Sequence, residues 1–266
     1  MLIAEDNSVN MEVAKFHLAD LGCHADGVEN GALAVAALQH KAFDFILMDC
    51  QMPVMDGFSA LQRIRADDLA SHDGCPAIIA VTAADDHDTR TLCLNAGFDG
   101  FLAKPYTRQQ LLSALQSVCA GAGRRTTLAP KPDPVPVPVV ASGEPPIVDQ
   151  AVFSQFVAEF GSGVAPALVG SFLKSLRDGE ARLPAINAAQ DTAALKALAH
   201  KLAGAAGTIG ATRLAQLARS IEATAKRDAI TWGFDGGALK AAIAAAIATF
   251  APLQTSLSST IKDQPC

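Results

Sequence analysis

A run of alternating proline and valine, PKPDPVPVPVV at 130–140, interrupts the chain of 266 residues near its middle. Proline fixes φ and lacks a backbone N–H, so such a run neither continues a helix nor pairs inside a sheet. It is typical of an extended, polyproline-like spacer. We therefore predict a first domain over 1–120, a flexible Pro/Val-rich linker over 121–147, a second domain over 148–255 and a disordered tail over 256–266.

Before this linker, short apolar segments alternate with segments of helical periodicity. The apolar segments are LIA (2–4), CHADGV (23–28), FDFILMD (43–49), AIIAVTA (77–83) and GFLAKP (100–105). Five strands alternating with five helices predict an α/β fold, a flavodoxin-like doubly wound sheet of five parallel strands. The ligand site of such a sheet lies beyond the carboxyl ends of its strands.

After the linker the strand pattern disappears, and five helical segments with short connections follow. One of them carries Leu239, Ile243, Ile247 and Phe250 on a single helical stripe, which is typical of a core helix. The second domain is therefore predicted to be an all-α bundle.

Charge is divided unevenly along a chain whose net charge is −6. Residues 1–120 hold seven Lys/Arg and sixteen Asp/Glu, whereas residues 148–266 hold eleven and nine. An acidic half and a mildly basic half are compatible with mutual docking. They argue against nucleic-acid binding, which needs a concentrated basic face.

Several sequence features favour a cytoplasmic protein. No apolar run of about 20 residues flanked by Lys/Arg is present, so we expect no membrane span. The N-terminus has no basic leader or cleavage site, and the six cysteines show no CxxC spacing. The alternative is membrane association through a hybrid kinase partner or through an N-terminal part that precedes this chain.

Acidic residues follow the predicted strands at the edge where a ligand site is expected. Glu5 and Asp6 follow the first strand, and Asp49 ends the third. Three converging carboxylates repel one another and need a cation, and hard oxygen ligands suit Mg²⁺. Thr82 and Lys104, at the ends of the fourth and fifth strands, could hold the oxygens of a phosphoryl group.

These residues carry a family resemblance. The motifs AEDN (4–7), MDCQMPVMDG (48–57), VTA (81–83) and AKP (103–105), in this order, resemble those of the receiver domain of two-component response regulators. The resemblance covers nearly all of 1–120. The first strand is shorter than the family pattern, which makes a fragment of a longer protein a reasonable expectation.

The resemblance implies a role for each residue. Asp49 would take phosphate from a phosphohistidine, and Glu5, Asp6, Asp49 and the backbone carbonyl of Gln51 would hold Mg²⁺. Thr82 and Lys104 would bind the phosphoryl oxygens. Phe101 stands where the family keeps an aromatic switch residue, with simple core packing as the alternative. The Lys104–Pro105 bond is expected to be cis.

The second domain contains a histidine on a helical segment that consists mostly of glycine and alanine. In AHKLAGAAGTIGA (199–211), the residues that share a helical face with His200 at i−4, i+4 and i+7 are Lys196, Gly204 and Gly207. Such a flat face lets the concave site of another protein approach the ring. Neutral imidazole is a competent nucleophile near pH 7.

This stretch resembles the histidine phosphotransfer (HPt) motif, His-x-x-x-Gly in a four-helix bundle. The resemblance implies that His200 carries a phosphoryl group on its solvent-facing ring nitrogen, with Lys196 and Lys201 screening the charge. Ala203 stands where the family often has a lysine. Glu222 would accept a hydrogen bond from the inner ring nitrogen, with an exposed ion-pairing carboxylate as the alternative.

Together the two resemblances predict a phosphorelay. Phosphoryl would pass from an upstream sensor histidine kinase to Asp49, then by an intramolecular receiver–HPt contact to His200, then to a downstream response regulator. The chain has no glycine-rich ATP-binding box, so autophosphorylation from ATP is not expected and its status as an enzyme stays open. A phosphate sink running the HPt step in reverse and a non-catalytic docking protein remain as alternatives.

Overall fold

The computed structural model describes residues 1–66, 76–83, 87–121, 145–225 and 232–262. Most of the predicted linker, 122–144, therefore lies outside the described residues. The chain divides into two compact units, one built on a sheet and one on helices.

The first unit is the predicted doubly wound sheet. Its strands are β1 (Leu2–Ala4), β2 (Asp26–Val28), β3 (Phe45–Asp49), β4 (Ala77–Thr82) and β5 (Gly100–Ala103). Its helices are α1 (Ser8–Asp20), α2 (Gly31–His40), α3 (Gly57–Ala66), α4 (His87–Ala96) and α5 (Arg108–Gly121). The strands are all parallel in the order β2-β1-β3-β4-β5, so the order reverses between β1 and β3.

The period-2 alternation of strand side chains produces a separate core on each face of this sheet. On one face, Leu2 and Ala4 of β1 join residues of α2, α3 and α4. On the other face, Ile3 joins residues of α1 and α5. Burial on both faces explains why β3 and β4 are continuous apolar runs.

Glycine at the start of α3 allows the backbone to approach the end of β3. A Cβ at Gly57 would overlap the carbonyl oxygen of Asp49, and the Gly57 N–H donates to the Cys50 carbonyl at 3.3 Å. The loop that links β3 to α3 is therefore tied back against the strand that ends in Asp49.

The second unit is all-helical, as predicted, but four helices are described where the sequence predicts five. They are α6 (Gln150–Ala189), α7 (Thr192–Ile209), α8 (Thr212–Ala225) and α9 (Trp232–Lys262). The first two predicted helices are parts of α6, joined across a kink at Gly161, whose φ of 66° and ψ of 173° are not helical. Pro166 follows within the second part of α6 without ending it.

Aromatic side chains form much of the core of this bundle. Phe250 of α9 packs edge-on against Phe172 and Phe153 of α6, with ring centroids 5.3 and 5.6 Å apart. Leu239, Ile243 and Phe250 of the predicted core stripe are fully buried, whereas Ile247 is half-buried. The stripe is a core stripe, as predicted.

Two predicted boundaries differ from the structure. The helix α9 continues to Lys262, so the prediction of a disordered tail is wrong for 256–262, while 263–266 lie outside the described residues. At the other end, Pro145 and Pro146, assigned to the linker, accept hydrogen bonds from Arg213. The helical unit therefore includes residues before 148.

Two helices, Gln150–Ala189 and Gly236–Ser259, are long and apolar enough to cross a membrane when judged by length and composition alone. The same criterion is met by core helices of soluble proteins. The absence of a membrane span therefore stays a prediction.

Candidate functional site

The carboxyl edge of the sheet brings together the polar residues that follow its strands. The carboxylates of Glu5, Asp6 and Asp49 each offer an oxygen, and these oxygens lie within 4.8 Å of one another. Thr82 is the buried last residue of β4, and its carbonyl accepts from the N–H of Lys104 at 2.7 Å. All five residues predicted for this edge are thus on it.

Lys104 bridges two of the carboxylates. Its Nζ donates to Oε2 of Glu5 at 2.5 Å and to Oδ2 of Asp49 at 2.6 Å, and all three side chains are less than a tenth exposed. Burial alone would lower the pKa of Lys104, but the charges of Asp49 and Glu5 outweigh it and raise that pKa. The ammonium group is therefore a permanent positive charge beside Asp49.

Glu5 responds differently to the same surroundings. Burial raises its pKa most, the charge of Lys104 opposes this rise, and the charges of Asp49 and Asp6 add to it. The net effect is a raised pKa, caused mainly by burial. Three carboxylates lie beside the ammonium group of Lys104, which leaves negative charge in excess at this edge. This edge can therefore accept a further cation.

The residues present fit a divalent metal ion. Three hard carboxylate oxygens on two adjacent strands match the ligand preference of Mg²⁺, which keeps part of its water shell. The backbone N–H of Gln51 donates to Oδ1 of Asp49 at 3.0 Å and so orients that carboxylate. The carbonyl of Gln51, predicted as a fourth ligand, belongs to the same short turn.

Two further residues lie beside this edge. Phe101 is partly buried and packs against the core on the face of α2, α3 and α4, as the core-packing alternative predicts, and its switch role stays a prediction. The Lys104–Pro105 bond is cis, as predicted. Tyr106, which the sequence analysis missed, has a pKa raised by burial and then by the charge of Glu5, so its phenol is neutral.

The helical unit brings His200 of α7 and Glu222 of α8 together. Nδ1 of His200 lies 3.3 Å from Oε1 of Glu222. An ionised carboxylate only accepts hydrogen bonds, so this contact favours the tautomer with its proton on Nδ1 and its lone pair on Nε2. Glu222, the predicted hydrogen-bond partner of His200, therefore lies beside Nδ1, on the side of the ring away from Nε2.

Two lysines and two glycines lie near His200 on its own helix. Lys196, Lys201, Gly204 and Gly207 are partly exposed residues of α7. Arg219 of α8 was not predicted from the sequence, and its Nη2 would lie 3.0 Å from a Cβ placed on Gly207. Arg219 precedes Glu222 by three residues on the same helix, and this i, i+3 spacing was the signal that could have found it.

Comparison with known protein families identifies a domain in each unit of this chain. Residues 1–116 match the response regulator receiver domain, and residues 167–249 match the Hpt domain. The chain thus contains a receiver domain followed by an Hpt domain.

Individual relatives include sensor proteins and a hybrid histidine kinase. The chain is 29% identical over 229 residues to the sensor protein GacS of Pseudomonas syringae pv. syringae, covering 86% of this chain and 25% of GacS. It is 37% identical over 120 residues to the hybrid signal transduction histidine kinase B of Dictyostelium discoideum, covering 42% of this chain and 6% of that protein. The chain thus spans a quarter or less of the length of these two relatives.

Among solved structures, the chain is similar to the receiver domain of the sensor histidine kinase PA1611 from Pseudomonas aeruginosa PAO1. The two are 39% identical, the match covers 45% of this chain and 95% of that domain, and the TM-score is 0.40. That crystal structure has a magnesium ion coordinated in its active-site cleft.

Proposed function

We propose that this chain relays a phosphoryl group through two of its own side chains. Asp49 accepts phosphoryl from a phosphohistidine of an upstream sensor histidine kinase, and His200 then carries it to a downstream response regulator. The observation that supports this proposal most strongly is the position of Lys104. Its ammonium group contacts both Glu5 and Asp49, where negative charge increases when phosphoryl arrives.

The first step forms an acyl phosphate. A carboxylate oxygen of Asp49 forms a bond to phosphorus while the bond between phosphorus and the donor imidazole nitrogen breaks, and the imidazole leaves. Lys104 stabilises the charge on the transferring oxygens, and the hydroxyl of Thr82 donates a hydrogen bond to one of them. Glu5, Asp6, Asp49 and the carbonyl of Gln51 would hold Mg²⁺, which would supply further neutralising charge.

The second step transfers the same group to nitrogen. Nε2 of His200 forms a bond to phosphorus, and the bond from phosphorus to the Asp49 oxygen breaks, which returns the carboxylate. The ring gains positive charge as it reacts, and the carboxylate of Glu222 at Nδ1 stabilises this charge and holds the ring orientation. Lys196 and Lys201 reduce the repulsion between the phosphohistidine and an approaching acidic site.

The test uses acetyl phosphate carrying a radioactive phosphorus label, because this small acyl phosphate loads aspartate rather than histidine. In the wild-type chain with Mg²⁺, we expect alkali-labile label on Asp49, followed by acid-labile label on His200. Asp49→Ala should remove both signals and His200→Ala only the second. Asp20→Ala and His40→Ala, at exposed positions, serve as controls.

The alternatives predict other results. A phosphate sink would release inorganic phosphate from Asp49 faster than it passes label from His200 to any added receiver domain. A docking protein would take up label on Asp49 and never transfer it. Failure of the wild-type chain to take up label at Asp49 would overturn the proposal.

A further inference from the structure

Two cysteine side chains meet inside the core on the face of α2, α3 and α4. Sγ of Cys50, the residue that follows β3, lies 3.9 Å from Sγ of Cys93 in α4. Cys50 is 5% exposed, Cys93 is fully buried, and both belong to the same hydrophobic cluster. Neither thiol has a part in the proposed phosphoryl transfer.

Backbone hydrogen bonds hold the two cysteines opposite each other. The N–H of Cys50 donates to the carbonyl of Val81 at 2.9 Å, and its carbonyl accepts from the N–H of Gly57 at 3.3 Å. The carbonyl of Cys93 accepts from the N–H of Phe98 at 3.2 Å. An S–S bond is about 2 Å long, so the two sulfur atoms would have to approach each other by about 2 Å. Rotation of both side chains can supply most of this movement.

The apolar surroundings keep both thiols protonated. Burial raises the pKa of Cys50, and the charges of Cys93 and Asp49 add to this rise. Burial also raises the pKa of Cys93. The pair is therefore slow to react with reagents that need an exposed thiolate. A disulfide carries no charge, so the surroundings that disfavour a thiolate do not disfavour the bonded product.

The position of Cys50 connects this pair to the phosphoacceptor. Cys50 follows Asp49 directly in the chain, and the carboxylate of Asp49 contacts Lys104. A bond from Cys50 to Cys93 would pull the backbone at the end of β3 toward α4. A small displacement of a reacting group is enough to slow its reaction strongly, because the reacting atoms lose their alignment.

We propose that Cys50 and Cys93 are a site of oxidative modification, where a disulfide bond ties α4 to the end of β3 and slows phosphorylation of Asp49. The effect on Asp49 rests on the proposed function, whereas formation of the bond does not. The oxidant is a peroxide small enough to enter the core when it opens locally.

The reaction has two steps. One thiol sulfur attacks an oxygen of hydrogen peroxide, the O–O bond breaks, and the departing hydroxide takes the thiol proton and leaves as water. The sulfur of the second thiol then attacks the resulting sulfenic acid, whose hydroxyl leaves with the second thiol proton as water. Two thiols and one peroxide thus give one disulfide and two waters, and the two electrons lost by the sulfurs reduce the peroxide.

Mass spectrometry tests whether the bond forms. The full-length chain is treated with hydrogen peroxide, alkylated in denaturant and digested without a reducing agent. We expect the peptides of Cys50 and Cys93 to be joined and the pair to be two hydrogens lighter than the separate peptides. Cys93→Ser should abolish the joined pair. Cys119→Ser, which replaces an exposed cysteine of α5, is the matched control and should retain it.

Two measurements test what the bond does. Acetyl phosphate should load Asp49 about tenfold more slowly in the oxidised wild-type chain, and dithiothreitol should restore the rate. The Cys93→Ser chain should load at the same rate before and after peroxide treatment. The bond joins residues 43 positions apart, so it should raise the midpoint of thermal unfolding of the first unit by about 5 °C.

Each outcome has a distinct meaning. The absence of a joined Cys50–Cys93 pair, or oxidation that ends at a sulfinic acid, would overturn the inference. A joined pair with unchanged loading would overturn the role of the bond at Asp49. Failure of the reduced wild-type chain to take up label would instead overturn the proposed function, and the peptide masses would still show whether the bond forms.

Discussion

Lys104 shows how far a single residue can be placed from sequence. The strand pattern puts it at the same edge as Glu5 and Asp49, and the structure brings all three side chains into contact. The contact distances depend on how the strands twist and on the turn after β5, and neither is visible in a residue pattern.

Replacing Lys104 tests its role as a buried counter-charge. Lys104→Met should lower the free energy of unfolding by about 3 kcal/mol without divalent ions, because Glu5 and Asp49 lose the cation that they contact. Added Mg²⁺ should recover part of this loss. Urea denaturation with and without Mg²⁺ measures both effects.

An exposed ion pair provides the matched control for that substitution. Lys41 contacts Asp26 at 2.7 Å, but both side chains are more than half exposed. Lys41→Met should therefore leave the free energy of unfolding nearly unchanged, with or without Mg²⁺. Equal losses for the two lysine variants would contradict the role of Lys104 at the carboxylate cluster.

Glu222 is the second residue whose role can be measured directly. Glu222→Ala should slow the loading of His200 by phosphoramidate about tenfold, because the ring loses the group that orients it and stabilises its positive charge. Glu222→Gln should restore part of the rate, since its amide oxygen can still accept from Nδ1. Glu159→Ala, an exposed change on α6, is the control. A full rate in Glu222→Ala would indicate that the contact is incidental.

At the scale of elements, the alternation of strands and helices in the first unit follows from apolar periodicity alone. The number of helices in the second unit could not be predicted from this periodicity. The sequence separates two helices around GSG at 161–163, and the structure joins them through one residue with unusual backbone angles. A period-3.6 pattern locates helical faces, but it does not show whether the axis bends or ends at a glycine.

The kink in α6 can be tested by two neighbouring glycines. The angles of Gly161 lie in a region open almost only to glycine, so Gly161→Ala should lower the free energy of unfolding by about 1–3 kcal/mol. A Cβ at Gly163 meets nothing within 4 Å, so Gly163→Ala should raise the free energy of unfolding by up to about 1 kcal/mol. Urea denaturation compares the two variants, and effects of the same sign would show that the kink is not held at Gly161.

At the scale of the whole molecule, the division into two units was predictable from one break in composition. The exact boundaries of the two units could not be predicted, because the hydrogen bonds from Arg213 to Pro145 and Pro146 join residues that are distant in sequence. The two units offer separate spectroscopic reporters. The single tyrosine, Tyr106, is in the first unit and the single tryptophan, Trp232, is in α9.

Magnesium should stabilise one unit and not the other. At tenfold its dissociation constant, Mg²⁺ should raise the unfolding midpoint of the first unit by about 4 °C and leave the transition followed by Trp232 unchanged. Asp6→Asn should abolish the shift, whereas Asp20→Asn, in an exposed pair with Arg108, should retain it. An equal shift of both transitions would exclude the carboxylate cluster as the binding site.

Because every strand runs in the same direction, the turns at the amino edge of the sheet lie far from the carboxylates. Gly22 and Gly97, which end two helices there, have positive φ and open space where a Cβ would point. These turns are therefore suitable places to insert a short peptide tag or attach a fluorophore. A receiver domain labelled in this way could be followed during phosphoryl transfer, and the residues at the carboxyl edge of its sheet would be unaltered.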